Sequence, residues 1–381
     1  MSDRRLAGTF WPSRRERLLL LTALGEQDRA VEAWQELRRD FDLQTTDELA
    51  FAALPLVYRR LQAAGIDDPD LARLKGIYRS AWARNTLLIE RLRETAEAFR
   101  AADVPVLLVG SIGAALRYYE TLGLRPTGYL ELLVPEHDVT RAVRALGSAG
   151  WSTHGGVRSG PAQPLALLDG IGTLCLLRTA LAPDFVLETG QPGETPFWST
   201  AVDLESNGVQ APALSPTDDL LAAIVTGARA TPTRSIQWIV DAAMILRTPE
   251  QIDSERLCRI GIERGQGLRF RNALEFVRRL LGSSPLPAAQ ETLDRWKPTQ
   301  RERLTYAFTA RMVPGLGSLP QALGEHLGAT TGSSTSATAA GLPRFFRERW
   351  ELEHTWQLPV EGGRRLFRSL KRPRAAPADR E

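Results

Sequence analysis

The 381-residue sequence is short of the residues that usually announce a chemistry. It has two cysteines, Cys175 and Cys258. Two isolated thiols make neither a CxxC pair nor a disulfide framework, which excludes a stapled secreted domain and suits a reducing compartment. The four histidines, His137, His154, His326 and His354, show no HxH or HxxxH spacing and have no cysteine at ligand spacing. That leaves them surface or capping roles rather than zinc ligation. An excess of one charge is also missing. Lys and Arg number 48 against 45 Asp and Glu, a net charge of +3, too mild for this length to argue nucleic-acid binding. No aromatic stripe alternates with Lys or Arg as in a single-strand groove. The longest apolar run near the start, Leu18 to Leu21, is flanked by Arg14, Arg15 and Arg17. A spanning helix needs roughly 20 apolar residues, and no small-residue cleavage site follows the run. These absences together predict a cytoplasmic protein with no transmembrane segment. There are no internal repeats.

What is present is an ordinary soluble composition, 43% apolar and 24% charged, ample for a real core. The length exceeds one ordinary domain. From Arg14 to Phe99 apolar residues recur at three and four, as in Ala30, Trp34 and Leu37, so residues 1–102 are expected to form a helical region. At Asp103-Val104-Pro105 the period changes. Strands are predicted over Val106–Val109, Tyr129–Val134, Leu174–Leu177 and Phe185–Glu188, with a short edge strand over Val209–Pro212. Helices are expected over Ile112–Glu120 and Asp138–Ala149. Residues 103–214 thus read as an α/β core. In Ser215-Pro216-Thr217-Asp218-Asp219 a cap, a first-turn proline and two dipole-favoured acids open a helix. Residues 215–328 read as a second helical domain. Ala329 to Gly341 (ATTGSSTSATAAG) is low in complexity and reads as a flexible linker. A terminal helix and a basic tail, frayed from Arg364, are expected over 342–381. The fold class is α+β: a small mixed sheet with helices, flanked by N-terminal and C-terminal helical regions.

The stretch "VLLVGSIGAALRYYETLGLRPTGYLELLV", Val106 to Val134, carries the chemistry. A glycine straight after a strand lets backbone approach a ligand closely. Ser111 adds a hydroxyl and an amide at a helix start, where a phosphate can be held. A tight turn with a capping serine would look the same. In the second strand, positions 129 and 131 share one face. Two carboxylates at that spacing would hold a pair of metal ions for phosphoryl transfer. The residues there are Tyr129 and Glu131.

Around these residues stand Val104-Pro105-Val106-Leu107-Leu108, Gly110, Ala115-Leu116, Tyr119, Arg125-Pro126, Leu130-Glu131-Leu132-Leu133-Val134 and Gly150. Leu214-Ser215-Pro216 and Trp238-Ile239-Val240-Asp241 follow, and Pro55 to Leu61 precede. In this order the segments resemble the uncharacterised nucleotidyltransferase family of the DNA polymerase beta-like superfamily, over roughly residues 15–300. The resemblance implies a nucleotidyltransferase-like sheet and Glu131 as a catalytic acid and metal ligand. It implies Gly110, Ser111 and Arg125 at a nucleotide, and a third acid supplied by Asp184 or Glu188. A nucleoside triphosphate is the implied ligand, and magnesium the implied cofactor, expected to bind weakly or not at all. The acceptor is left open: a small molecule, a sugar, a peptide or a protein.

Departures from the family's pattern decide how the implication is read. Val109 stands where the family has a lysine, and Tyr129 where it has the first Asp of the pair. Ala52 and Ala53 replace a histidine, and no His-Trp follows Glu188. A phenol stays neutral at pH 7. If the lost ligand forfeits roughly 4 kcal/mol of transition-state stabilisation, the rate falls about a thousandfold. Three readings follow: a degenerate member that binds a nucleotide or a partner without efficient transfer, an active metal-dependent enzyme using Glu131, and a non-catalytic adaptor. Trp238 and Asp241 are expected to pin the helices rather than touch ligand.

Overall fold

The computed structural model describes residues 11–39, 43, 51–153, 165–169, 172–177, 197–229, 235–310, 319–329, 335–350 and 352–371. Four helices come first: α1 (Arg14–Leu24), α2 (Gln27–Leu37), α3 (Leu54–Ala63) and α4 (Leu71–Ala101). Ser13 and Glu16 form a reciprocal capping box that starts α1. Then come β1 (Leu107–Val109), α5 (Gly110–Tyr118), β2 (Tyr129–Leu133), α6 (Val139–Ser148), β3 (Ser152–Thr153), β4 (Leu165–Leu168), β5 (Thr173–Leu177), β6 (Val202–Ser206) and β7 (Val209–Ala213). Helices close the chain: α7 (Pro216–Gly227), α8 (Gln237–Ile245), α9 (Ser254–Glu263), α10 (Gly267–Leu281), α11 (Pro287–Arg295), α12 (Gln300–Thr309), α13 (Leu319–Ala329), α14 (Thr335–Arg349) and α15 (Leu358–Lys371). The class is α+β, as the change of period at residue 103 predicts.

One mixed sheet has the order β3-β4-β5-β2-β1-β7-β6. The two strands of the quoted stretch are antiparallel neighbours, with Val109 opposite Glu131. β5 runs parallel to β2 on its other side and sets Cys175 opposite Glu131. Alternation then divides the side chains between two faces. Leu130, Leu132, Leu174 and Leu176 point to one face and pack with Leu88, Leu92 and Phe99 of α4 and Leu146 of α6. Leu107, Val109 and Leu133 point to the other and join a larger core. That core draws on both helical regions, including Trp34, Leu54, Leu220, Ile239 and Phe270. The sheet is therefore clamped on its second face by helices from both ends of the sequence.

Several expectations need correcting. The strand at Val209 is not an edge, because it lies between β1 and β6, and β6 takes the edge. The missed signal is Asn207-Gly208: both residues have positive φ, 50° and 72°, the backbone a tight hairpin requires. The expected linker is helical in its second half, since α14 begins at Thr335. Its alanines favour helix, and Thr338 is buried, with its carbonyl 2.8 Å from His326 Nε2. The basic tail is not frayed from Arg364, because α15 continues to Lys371. Glu361 supports it by accepting from Arg365 at 2.9 Å across one turn. The expected strand Phe185–Glu188, with Asp184 and Glu188, lies outside the described residues.

Candidate functional site

The site forms where β1 ends and α5 begins. Gly110 has φ +67°, which L side chains rarely adopt. It also has no room: a Cβ there would fall 1.8 Å from Glu131 Oε2. Glycine is therefore required twice over, by backbone conformation and by the carboxylate that passes beside it. That carboxylate reaches the helix start. The Ser111 amide donates to Glu131 Oε2 at 3.0 Å, and the Ser111 hydroxyl donates to the same oxygen at 3.4 Å. A helix N-terminus favours an anion through its free amides and its dipole. Here the anion it holds is the chain's own Glu131.

The residues that flank Glu131 on its sheet face, Tyr129, Cys175 and Val109, are neutral. Tyr129, two residues earlier on the same face, is 43% exposed. The Glu131 charge, with burial, pushes its phenol up to about 12. Cys175, opposite Glu131 on β5, is half-buried, and burial followed by the Glu131 charge pushes its thiol up to about 11. Burial raises the Glu131 carboxyl itself above the usual range, against the opposing pull of Ser111 and Arg125. Val109 fills the β1 position beside Glu131 and is buried. Magnesium takes several hard oxygen ligands. Among the described residues, the groups on this face, a phenol, a thiol, an alkyl group and one carboxylate, do not fit a pair of such ions. Among the described residues, no group of three or more His, Cys, Asp or Glu converges to hold a metal.

Arg125 is turned elsewhere. Its guanidinium grips Asp241 of α8 with two nitrogens, Nε at 3.1 Å and Nη2 at 2.7 Å. The Tyr119 hydroxyl donates to Asp241 Oδ1 at 2.6 Å, and Gln237 Nε2 donates to it at 2.9 Å. Burial works against the Arg125 charge, yet Asp241 holds its pKa above the ordinary value. Asn85 of α4 adds a brace by donating to the carbonyls of Leu122 and Arg125, each at 2.7 Å. The network ties the turn before β2 to α4 on one side and α8 on the other. The acids opening α7 are also paired: Asp218 with Arg256 at 2.7 Å, and Asp219 with Arg117 at 2.9 Å. Tyr118 donates to Asp219 at 2.7 Å, and burial pushes the Asp219 carboxyl up to about 7. The segments Arg125-Pro126, Ser215-Pro216 and Trp238 to Asp241 therefore assemble the frame around the site.

The structure thus brings Gly110, Ser111, Glu131, Tyr129 and Val109 together and points the Arg125 side chain at Asp241. Sequence reasoning missed Cys175, treated as an isolated thiol. Its signal was the period of two in Thr173-Leu174-Cys175-Leu176-Leu177, which puts Thr173 and Cys175 on the less buried face.

A family model described as uncharacterised nucleotidyltransferase matches residues 50–282, which include the whole of this site and its frame. No curated protein matches the chain, and no solved structure matches it.

Proposed function

The chain belongs to the uncharacterised nucleotidyltransferase family, and from that premise we propose that it binds a nucleotide or a partner at the Gly110–Ser111 end of its sheet without efficient nucleotidyl transfer. One observation carries the reading: Glu131, the carboxylate kept from the family's acidic pair, is bound to the Ser111 amide through Oε2. A bidentate metal ligand would share that oxygen with the serine, and a nucleotide phosphate held at the helix start would compete for that amide. Tyr129 brings no second negative charge to the face. A phosphate arriving at Ser111 must displace Glu131 and meets its charge on the way. Arg125 supports the site by holding the turn before β2 rather than by touching phosphate. The nucleotide's base and the acceptor class stay unassigned.

The test screens the four ribonucleoside triphosphates by thermal stabilisation, with and without magnesium or manganese, beside an assay for transfer of labelled nucleotide. A ligand at 100 times its Kd adds about 2.7 kcal/mol. The expected result is nucleotide-dependent stabilisation that needs no metal, with no transfer. Glu131→Gln should then tighten binding, because it removes the carboxylate that repels the phosphate. Tyr129→Asp should create divalent-metal stabilisation absent in the parent, since two carboxylates on one strand face attract a bridging cation. Metal-dependent transfer by the parent, abolished in Glu131→Gln, would establish the live-enzyme reading instead. Silence toward every nucleotide and metal would leave a partner-binding adaptor.

A further inference from the structure

Helix α4 carries its charge in two blocks. From Leu71 to Ile89 the sequence has Arg73, Lys75, Arg79 and Arg84 and no acid, and Glu90, Glu94 and Glu97 follow. Lys75, Arg79 and Arg84 are exposed and, among the described residues, enter no ion pair within the chain. In the second half Arg91 pairs with Asp169 and Glu94, and Arg93 pairs with Glu90 and donates to the Asn207 carbonyl at 2.6 Å. Glu90 and Glu94 still show over half of their side-chain surface to solvent, 55% and 57%. Between the blocks two large apolar side chains stand in water, Trp82 at 49% and Leu87 at 54% exposure. The opposite side of the helix is the one that packs on the sheet, through Leu88, Leu92 and Phe99. Lys75, Arg79, Ala83, Leu87, Glu90 and Glu94 recur every three or four residues and so form one outer stripe.

Such a stripe is its own complement when the helix is reversed. A twofold axis between Arg84 and Asn85 sets Arg79 opposite Glu90, and Lys75 opposite Glu94, of a second copy. Each pair occurs twice, since an isologous contact repeats itself. At the same register Leu87 comes level with Trp82 and Ala83 of the other copy, which puts the apolar side chains at the centre and the charge pairs at the rim. We propose that α4 is a dimerisation face, packed antiparallel on α4 of a second copy of this chain. A nucleic acid or an anionic membrane would match the basic block and be repelled by Glu90 and Glu94. A reversed second copy satisfies both blocks and covers Trp82 and Leu87. Glu131 lies on the sheet face turned away from α4, because Leu130 and Leu132 on either side of it pack toward that helix. The dimer therefore leaves the Gly110–Ser111 end open in both copies.

The test is sedimentation equilibrium of the full chain from about 1 to 100 µM, since one helix per copy makes an interface at the small end of the stable range. A reversible monomer–dimer equilibrium is expected, weakening as salt rises. Arg79→Glu and Glu90→Arg each turn two attractive pairs into two repulsive ones, and each should weaken the dimer about tenfold. An equimolar mixture of the two variants should dimerise like the parent, because each then meets the charge it lacks. Leu87→Asp should weaken the dimer by about tenfold or more. These three side chains are exposed, so circular dichroism and melting should not change. A chain that stays monomeric over the whole range overturns the proposal. So does a dimer that Leu87→Asp leaves intact, which would place the contact on another face. Two weakened variants that their mixture does not restore would overturn the antiparallel register.

Discussion

Asp241 and Glu131 are two carboxylates of one framework, held in different ways. Asp241 receives Arg125 with two nitrogens, together with Tyr119 and Gln237. Glu131 receives one residue, Ser111, at one oxygen. A buried charge is tolerated when it is paired and its lone pairs are filled. Asp241 meets that condition and has nothing left to offer a ligand. Glu131 meets it through a single serine at a helix start, and burial still raises its carboxyl. The first arrangement is a clasp. The second is a contact that an incoming anion at Ser111 or a proton on Glu131 can replace. The difference separates the segments that build the frame from the strand end that, on the proposed reading, would face a ligand.

Breaking the clasp should have the largest effect. Arg125→Ala leaves Asp241 buried with a phenol and an amide but no cation, and should cost about 3–5 kcal/mol in urea unfolding. Replacing both partners by leucine should recover much of that loss, because no unpaired charge remains. A single loss under about 1 kcal/mol would mean that water already screens the pair, and the contrast with Glu131 would collapse.

A smaller effect is expected from pushing Glu131 off its helix without touching Asp241. Gly110→Ala places a methyl where Oε2 now sits, 1.8 Å away, at φ +67°. The left-handed conformation alone costs roughly 1–2 kcal/mol, and the displaced hydrogen bonds add about 1 kcal/mol. Chemical shifts of the Ser111 amide should move, and those of Tyr119 and Arg125 should stay. If the shifts of both groups move together, the frame and the site are one unit rather than two.

Much of this was legible in the sequence, and the contrast explains where legibility stopped. The strand-Gly-Ser-helix-strand order follows from local rules: a short buried strand, a glycine, then helical spacing. It placed Gly110, Ser111, Val109, Tyr129 and Glu131 at one site. The destination of Arg125 was not legible, because its partner Asp241 lies 116 residues away and only the packing of α8 brings it near. The register of β5 against β2 was hidden for the same reason. Pairing across distant segments decides which side chain stands beside Glu131, and it selects Cys175. Composition misled at the end of the sequence. A run of Ser, Thr and Gly reads as linker, yet Ala337, Ala339 and Ala340 carry α14 through it.

The smallest effect is expected at Glu131 itself, and its sign is the sharpest test of the comparison. Burial raises its folded-state pKa above the ordinary glutamate range. A carboxyl with a raised folded pKa contributes stability that is present below its unfolded pKa and is lost as pH rises through the folded value. Glu131→Gln keeps an oxygen for the Ser111 amide and removes the charge that burial penalises. The variant should match the parent near pH 4 and gain on it as pH climbs toward 7, by about 1 kcal/mol, the scale of one hydrogen bond. Asp219 and Glu302, which burial pushes to about 7, titrate alike in both proteins, so the difference between the two stability curves isolates Glu131. Asp241→Asn should do the reverse and lose stability at neutral pH, because it takes a charge away from a paired cation. A loss at neutral pH from Glu131→Gln as well would mean that the Ser111 amide and the nearby Arg125 hold the carboxylate as firmly as the clasp holds Asp241. Glu131 would then belong to the frame rather than to the ligand site.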